Sequence, residues 1–177
     1  MIPIQQTKNL DLIWRRAISY QESYELISQV NVVGKLRFEQ GKKTSMAEIA
    51  EGKWIFRNSN FSAPHISIWT LKKEFVGMFE ANRYGEGSLL IYDGRQLRWE
   101  KAKRNPEVWN FLNLSNEKIV HFVPEYQNYR VRGSAHIYPG SSEFANLSLY
   151  VLLGWNIISV LESRRNIRLL TDKRIPW

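Results

Sequence analysis

The sequence predicts a mainly β protein: one antiparallel barrel whose last helix lies buried inside it. Three observations predict this. Short β-branched and aromatic segments alternate with turn residues over most of the chain, an uncharged apolar segment follows them, and 177 residues suit one domain of about 100–200 residues.

The strand segments run between Tyr24 and Ile137. They are expected at 32–38, 45–50, 53–57, 65–70, 75–80, 88–92, 96–100, 109–112, 119–123 and 134–137, with 24–27 as a weaker member at the start. Glu51-Gly52, Gly85-Glu86-Gly87 and Asp93-Gly94 supply residues that tolerate positive φ, so each joins neighbouring antiparallel strands in a tight hairpin. Trp54 with Phe56, Ile66 with Ile68, Leu97 with Trp99, and Trp109 with Phe111 are each spaced by two, which sends both members of a pair to one face of a pleated strand. That face is the core.

The pattern changes at Phe144. Residues 145–161 (ANLSLYVLLGWNIISVL) carry no charge and are apolar around the whole circumference of a helix. Such a helix is either buried in protein or spans a bilayer, and a length of about 25 Å falls short of a hydrocarbon layer of about 30 Å. Asn146, Ser148, Asn156 and Ser159 favour burial, because polar side chains find partners inside a protein and none among lipid tails. A meander of about ten strands also encloses more room than strand side chains fill. The helix is expected to plug the barrel, with no transmembrane span. Against this stands the flank 162–177, where five Lys and Arg outnumber two acids as beside a cytoplasmic anchor.

Composition narrows the chemistry. Hydrophobic residues at 44% and aromatics at 13% are too many for a disordered chain. The absence of Cys excludes disulfides, thiolate metal sites and a Cys nucleophile, and suits a reducing compartment. The three histidines, His65, His121 and His136, show no metal-ligand spacing along one strand or helix. There is no G-x-S-x-G elbow, no P-loop and no G-x-G-x-x-G opening a helix. The expectation is a protein that is not an enzyme and needs no metal or organic cofactor. The first twenty residues have no continuous apolar stretch, so no signal peptide is expected.

Lys and Arg number 25 against 17 Asp and Glu, a formal net charge of +8 that favours anionic partners. Arg95, Arg98, Lys101, Lys103 and Arg104 form the densest basic run before the tail, offset by Glu100 alone. Asp93-Gly94-Arg95 is most simply a hairpin turn that leaves Arg95 pointing outward to join the others. Trp99 lies within this run, but alternation turns it to the core, opposite Arg98, where it cannot stack on nucleic-acid bases.

The order of several segments adds a resemblance. GKLRFEQ at 34–40, AEIAEGKWIFRNSNFSAPHISI at 47–68, GEGSLLIYDGRQLRWE at 85–100, Val108-Trp109-Asn110-Phe111, and the closing YVLLGWNIISVL together resemble the Tubby C-terminal-like superfamily. The likeness is greatest to bacterial proteins related to the plant LURP-one group and to phospholipid scramblases, and it covers roughly 24–161. It implies a closed antiparallel barrel of about twelve strands around a buried hydrophobic C-terminal helix. It divides the chain into an N-terminal extension at 1–23, the barrel with its helix at 24–162, and a basic tail at 163–177. Better-understood members of that superfamily bind phosphoinositides or act at membranes.

The function expected from residues and resemblance together is a non-catalytic binding or scaffold domain that attracts anionic phospholipid head groups weakly. Arg95, Arg98, Lys101, Lys103, Arg104, Arg164, Arg165 and Arg168 would supply the charge. The expected location is cytoplasmic, with peripheral contact to the inner membrane leaflet. A protein-interaction module is the alternative, as is a nucleic-acid-binding protein that uses the same basic surface.

Overall fold

Twelve antiparallel strands form a closed barrel in which each pairs with its neighbours in sequence and β1 also pairs with β12. The computed structural model describes residues 4, 11–17, 22–39, 43–59, 63–127, 130–141 and 144–172, those at 127, 130, 131 and 164–172 through their backbone alone. The strands are β1 Leu12–Arg16, β2 Ser23–Ser28, β3 Asn31–Phe38, β4 Thr44–Ile49, β5 Gly52–Asn58 and β6 His65–Thr70. They continue as β7 Phe75–Ala81, β8 Gly87–Ile91, β9 Gln96–Ala102, β10 Asn105–Leu112, β11 Lys118–Gln127 and β12 Arg130–Ile137. One helix, α1 Leu147–Asp172, follows.

The pairs spaced by two do face the core: Trp54, Phe56, Ile66, Ile68, Leu97, Trp99, Trp109 and Phe111 are all buried. From Leu147 through Val160 every residue of α1 is buried as well, so the barrel encloses the helix on all sides. Trp155 stacks on Trp14 of β1 at 5.3 Å and 7°, and Trp99 stacks on Trp109 at 5.3 Å and 11°. Among the described residues no helix is long and apolar enough to cross a membrane.

Some polar groups of the helix find partners inside the barrel, whereas the buried Tyr150 hydroxyl and Trp155 Nε1 have none among the described residues. Asn156 accepts a 2.6 Å hydrogen bond from the Ser45 hydroxyl of β4, and the Ser159 hydroxyl faces the Tyr24 phenol of β2. Asn146 stands just before the helix with φ of 70°, and its carbonyl accepts from the Tyr150 amide at 3.2 Å. Asn is one of the few residues that enter this backbone region readily.

Gly154 decides how closely helix and sheet meet. A Cβ added there would lie 2.2 Å from Cζ of Phe122, so the β11 ring rests directly on the helix backbone. Gly154→Ala therefore sets two effects against each other. Helix propensity favours Ala by about 1 kcal/mol, whereas overpacking a full core costs about 1–3 kcal/mol. We expect overpacking to win and the variant to lose up to about 2 kcal/mol in urea unfolding. A raised midpoint would contradict this contact.

Three expected boundaries need correction. The helix begins at Leu147, not 145, because Ala145 and Asn146 form a turn, and it continues past Leu161 to Asp172. The supposed tail from 163 is thus helical through Asp172, and 173–177 lie outside the described residues. The supposed extension at 1–23 contains β1, whose Leu12 and Trp14 are fully buried. With five residues and the polar run Arg15-Arg16, this strand acquires its identity from its partners: Leu12 sits opposite Ser28 of β2 and Ala135 of β12.

Candidate functional site

The path of α1 assigns the hairpin turns to two rims. Arg95, in the β8–β9 turn, donates through Nη1 to the Ala145 carbonyl at 2.7 Å, just before the helix begins. At the other end, a Cβ added to Gly85 in the β7–β8 turn would come within 2.9 Å of the Leu161 side chain, where the helix leaves. The proximal rim therefore carries the β2–β3, β4–β5, β6–β7, β8–β9 and β10–β11 turns. The distal rim carries the β7–β8 and β9–β10 turns and the departing helix.

The eight cations singled out in the sequence divide between these rims. Arg95 and Arg98 are proximal and already engaged. The Asp93-Gly94-Arg95 segment is a hairpin turn, with Gly94 at φ of 88°, the Arg95 amide donating to Asp93 Oδ1 at 3.1 Å, and Nε donating to Oδ2 at 2.8 Å. Those hydrogen bonds from Arg95 hold the Asp93 carboxyl below the usual range, and Asp93 in return raises the guanidinium. Arg95 does not point freely outward: it ties the hairpin to the start of the helix. Arg98 donates to Asn116 Oδ1 in the β10–β11 turn and lies 3.9 Å from Glu100.

Lys101, Lys103 and Arg104 are distal. Lys101 holds its ammonium 5.1 Å from the centre of the Trp109 ring, and Lys103 and Arg104 form the exposed β9–β10 turn. Arg95 and Lys103 flank the seven residues of β9 at its two ends, roughly 23 Å apart at the rise of a strand, whereas Arg98 and Lys101 lie within the strand, about 10 Å apart. The end members Arg95 and Lys103 are thus about two screening lengths apart at 0.1 M salt and belong to opposite rims.

Arg164, Arg165 and Arg168 lie on the part of α1 that follows Leu161 and thus belong to the distal end by backbone position; their side chains are outside the described residues. Among the described residues the distal rim also holds exposed cations that the sequence did not single out, including Arg16 at the end of β1, Lys43 just before β4 and Arg83 in the β7–β8 turn. Arg83 donates to the Tyr84 hydroxyl at 2.6 Å and covers the Tyr84 ring at 4.7 Å. A charged residue beside a Gly-bearing hairpin was a usable signal for Arg83, whereas Arg16 needed β1.

A scan against protein-family models and searches of curated proteins and of solved structures return no match. The residues therefore carry the functional argument.

Trp99 is buried under Trp109 and Phe111, the latter at 4.7 Å, and offers no face for base stacking. A cluster that sequence reasoning missed lies on the outer barrel face. His121 and His136, cross-strand partners on β11 and β12, have ring centres 5.1 Å apart, with Tyr138 and Asp11 beside them. Burial, and next the neighbouring His136, push the His121 pKa below its usual value. No spacing along one strand could reveal a pair that the sheet register makes.

Proposed function

We propose that this protein is a non-catalytic binding domain, a Tubby-like barrel that attaches weakly to anionic phospholipid surfaces through its distal rim. The carrying observation is the gathering there of Arg16, Arg83, Lys101, Lys103 and Arg104 around the departing helix that bears Arg164, Arg165 and Arg168. Arg95 and Arg98 drop out of the binding set because their guanidinium groups serve Asp93, Ala145 and Asn116. The closed barrel around a C-terminal helix is the architecture that the resemblance implies, and it supports the reading at the level of fold alone.

Each cation near an anionic leaflet contributes about 1 kcal/mol, so removing three should weaken attachment about a hundredfold. We would compare cosedimentation of wild type, a Lys101→Gln/Lys103→Gln/Arg104→Gln variant and an Arg98→Gln control with phosphatidylserine-containing and purely zwitterionic vesicles. Wild type and control should bind the anionic vesicles at low salt and release at 1 M, where the screening length is about 3 Å. No binding by wild type at low salt, or equal binding by the triple variant, overturns the reading.

A second reading is a protein-interaction module. It draws on the proximal rim, where Val30, Leu71, Tyr92 and Leu114 stand exposed on four hairpin turns, Val30 and Tyr92 at 90% and 82%. Steep salt-dependent binding to DNA or RNA in place of vesicles would instead favour a nucleic-acid partner.

A further inference from the structure

We infer that His121 and His136 form a surface site for one exchangeable divalent transition-metal ion of the zinc or copper class, held through the two Nε2 atoms. The pair faces outward, since its strand neighbours Val120, Phe122, Ala135 and Ile137 are all buried in the core. Neither imidazole fills the barrel, so core packing does not account for their meeting.

Two features of the geometry suit a metal. The first is spacing. Zinc binds imidazole nitrogen at about 2.0–2.1 Å and the ring centre lies about 1.1 Å behind that atom, so two imidazoles on one tetrahedral ion have centres about 5 Å apart. Here the centres are 5.1 Å apart, a compatible distance that the direct opposition of the two residues across β11 and β12 sets.

The second is how each ring is held. His136 Nδ1 lies 2.8 Å from Asp11 Oδ1, and His121 Nδ1 lies 3.0 Å from the Tyr138 hydroxyl. A carboxylate accepts here, so in the neutral imidazole the His136 proton sits on Nδ1 and the lone pair is on Nε2, away from Asp11. This is the carboxylate–histidine arrangement that orients and strengthens metal-binding imidazoles. Tyr138 fixes the second ring in the same sense when Nδ1 donates to its hydroxyl. Among the described residues neither Nε2 has a hydrogen-bond partner.

The ion would be held by two protein ligands, because no group of three His, Cys, Asp or Glu side chains among the described residues is placed to hold a metal. Water would complete the shell, which makes the ion exchangeable and leaves positions open to a further ligand. Imidazole ligands favour zinc, copper and nickel over magnesium and calcium. Of the charged neighbours, Asp11 of the segment before β1 favours a bound cation, and Lys118 of β11, whose ammonium lies 5.7 Å from the centre of the Tyr138 ring, opposes it.

The test is calorimetric titration of the untagged full chain with Zn²⁺ alone, in a buffer that does not chelate, with Cu²⁺ electron paramagnetic resonance as a second readout. Wild type should bind one Zn²⁺ per chain saturably, and its copper spectrum should show two nitrogen ligands. His121→Ala and His136→Ala should each weaken zinc binding at least tenfold, and Asp11→Asn, which touches only the back of one ring, by about 10–100-fold. His65→Ala, on β6, should bind as wild type does. The absence of saturable zinc binding, or undiminished binding by a His121→Ala/His136→Ala double variant, overturns the site. So does a wild-type copper spectrum without two nitrogens, which needs no variant to fold.

Discussion

Leu153→Asp is expected to abolish the folded state. Leu153 lies in the middle of the buried stretch 147–160 at 0% exposure, between fully buried Leu152 and the Gly154 that Phe122 covers, so an introduced carboxylate finds neither water nor a cation. Even after protonation or local rearrangement, burying such a group costs several kcal/mol, against a typical total stability of about 5–15 kcal/mol. The chain should go to inclusion bodies, or fail to show the cooperative near-ultraviolet melt that its buried tryptophans give wild type. Leu153→Met keeps volume and polarity and should lose under about 1.5 kcal/mol, which separates the charge from the change of shape. Native-like folding of the Asp variant would mean that α1 is not enclosed by the strands.

Trp14→Ala should produce the second largest loss, about 3–5 kcal/mol, the usual cost of deleting a large buried aromatic. Trp14 is fully buried, stacks on Trp155 of the helix, and sits on β1, the strand through which the barrel closes. Loosening β1 also frees the edges of β2 and β12, and exposed edges invite pairing with other chains. The expected result is a lowered urea midpoint together with a greater tendency to aggregate on warming. An unchanged midpoint would show that the barrel does not depend on β1 for closure.

Much of this architecture was legible in the chain. The period of two in Trp54/Phe56, Ile66/Ile68 and Leu97/Trp99 and the Gly-bearing hairpins are short-range signals, and they identified every strand from β2 to β12 to within a few residues. The uncharged segment YVLLGWNIISVL with its scattered Asn and Ser announced a buried helix, and Asn156 indeed meets Ser45 inside the barrel. Arg95 was harder. Its place in a tight turn was readable, but its partner carbonyl at Ala145 lies 50 residues away.

The sequence by itself thus determined which segments are strands, which faces are apolar and that the last helix is buried, because each depends on residues within a few positions of one another. Only the tertiary structure decided that Leu12–Arg16 is a strand, since a five-residue segment with two arginines becomes one by pairing with β2 and with β12. Closure likewise divided one basic run between two rims, because alternate turns of an antiparallel meander lie at opposite ends. It also set His121 opposite His136 and brought Asp11 to His136 across 125 positions of sequence. Register and closure are properties of the whole sheet, and no local pattern of side chains carries them.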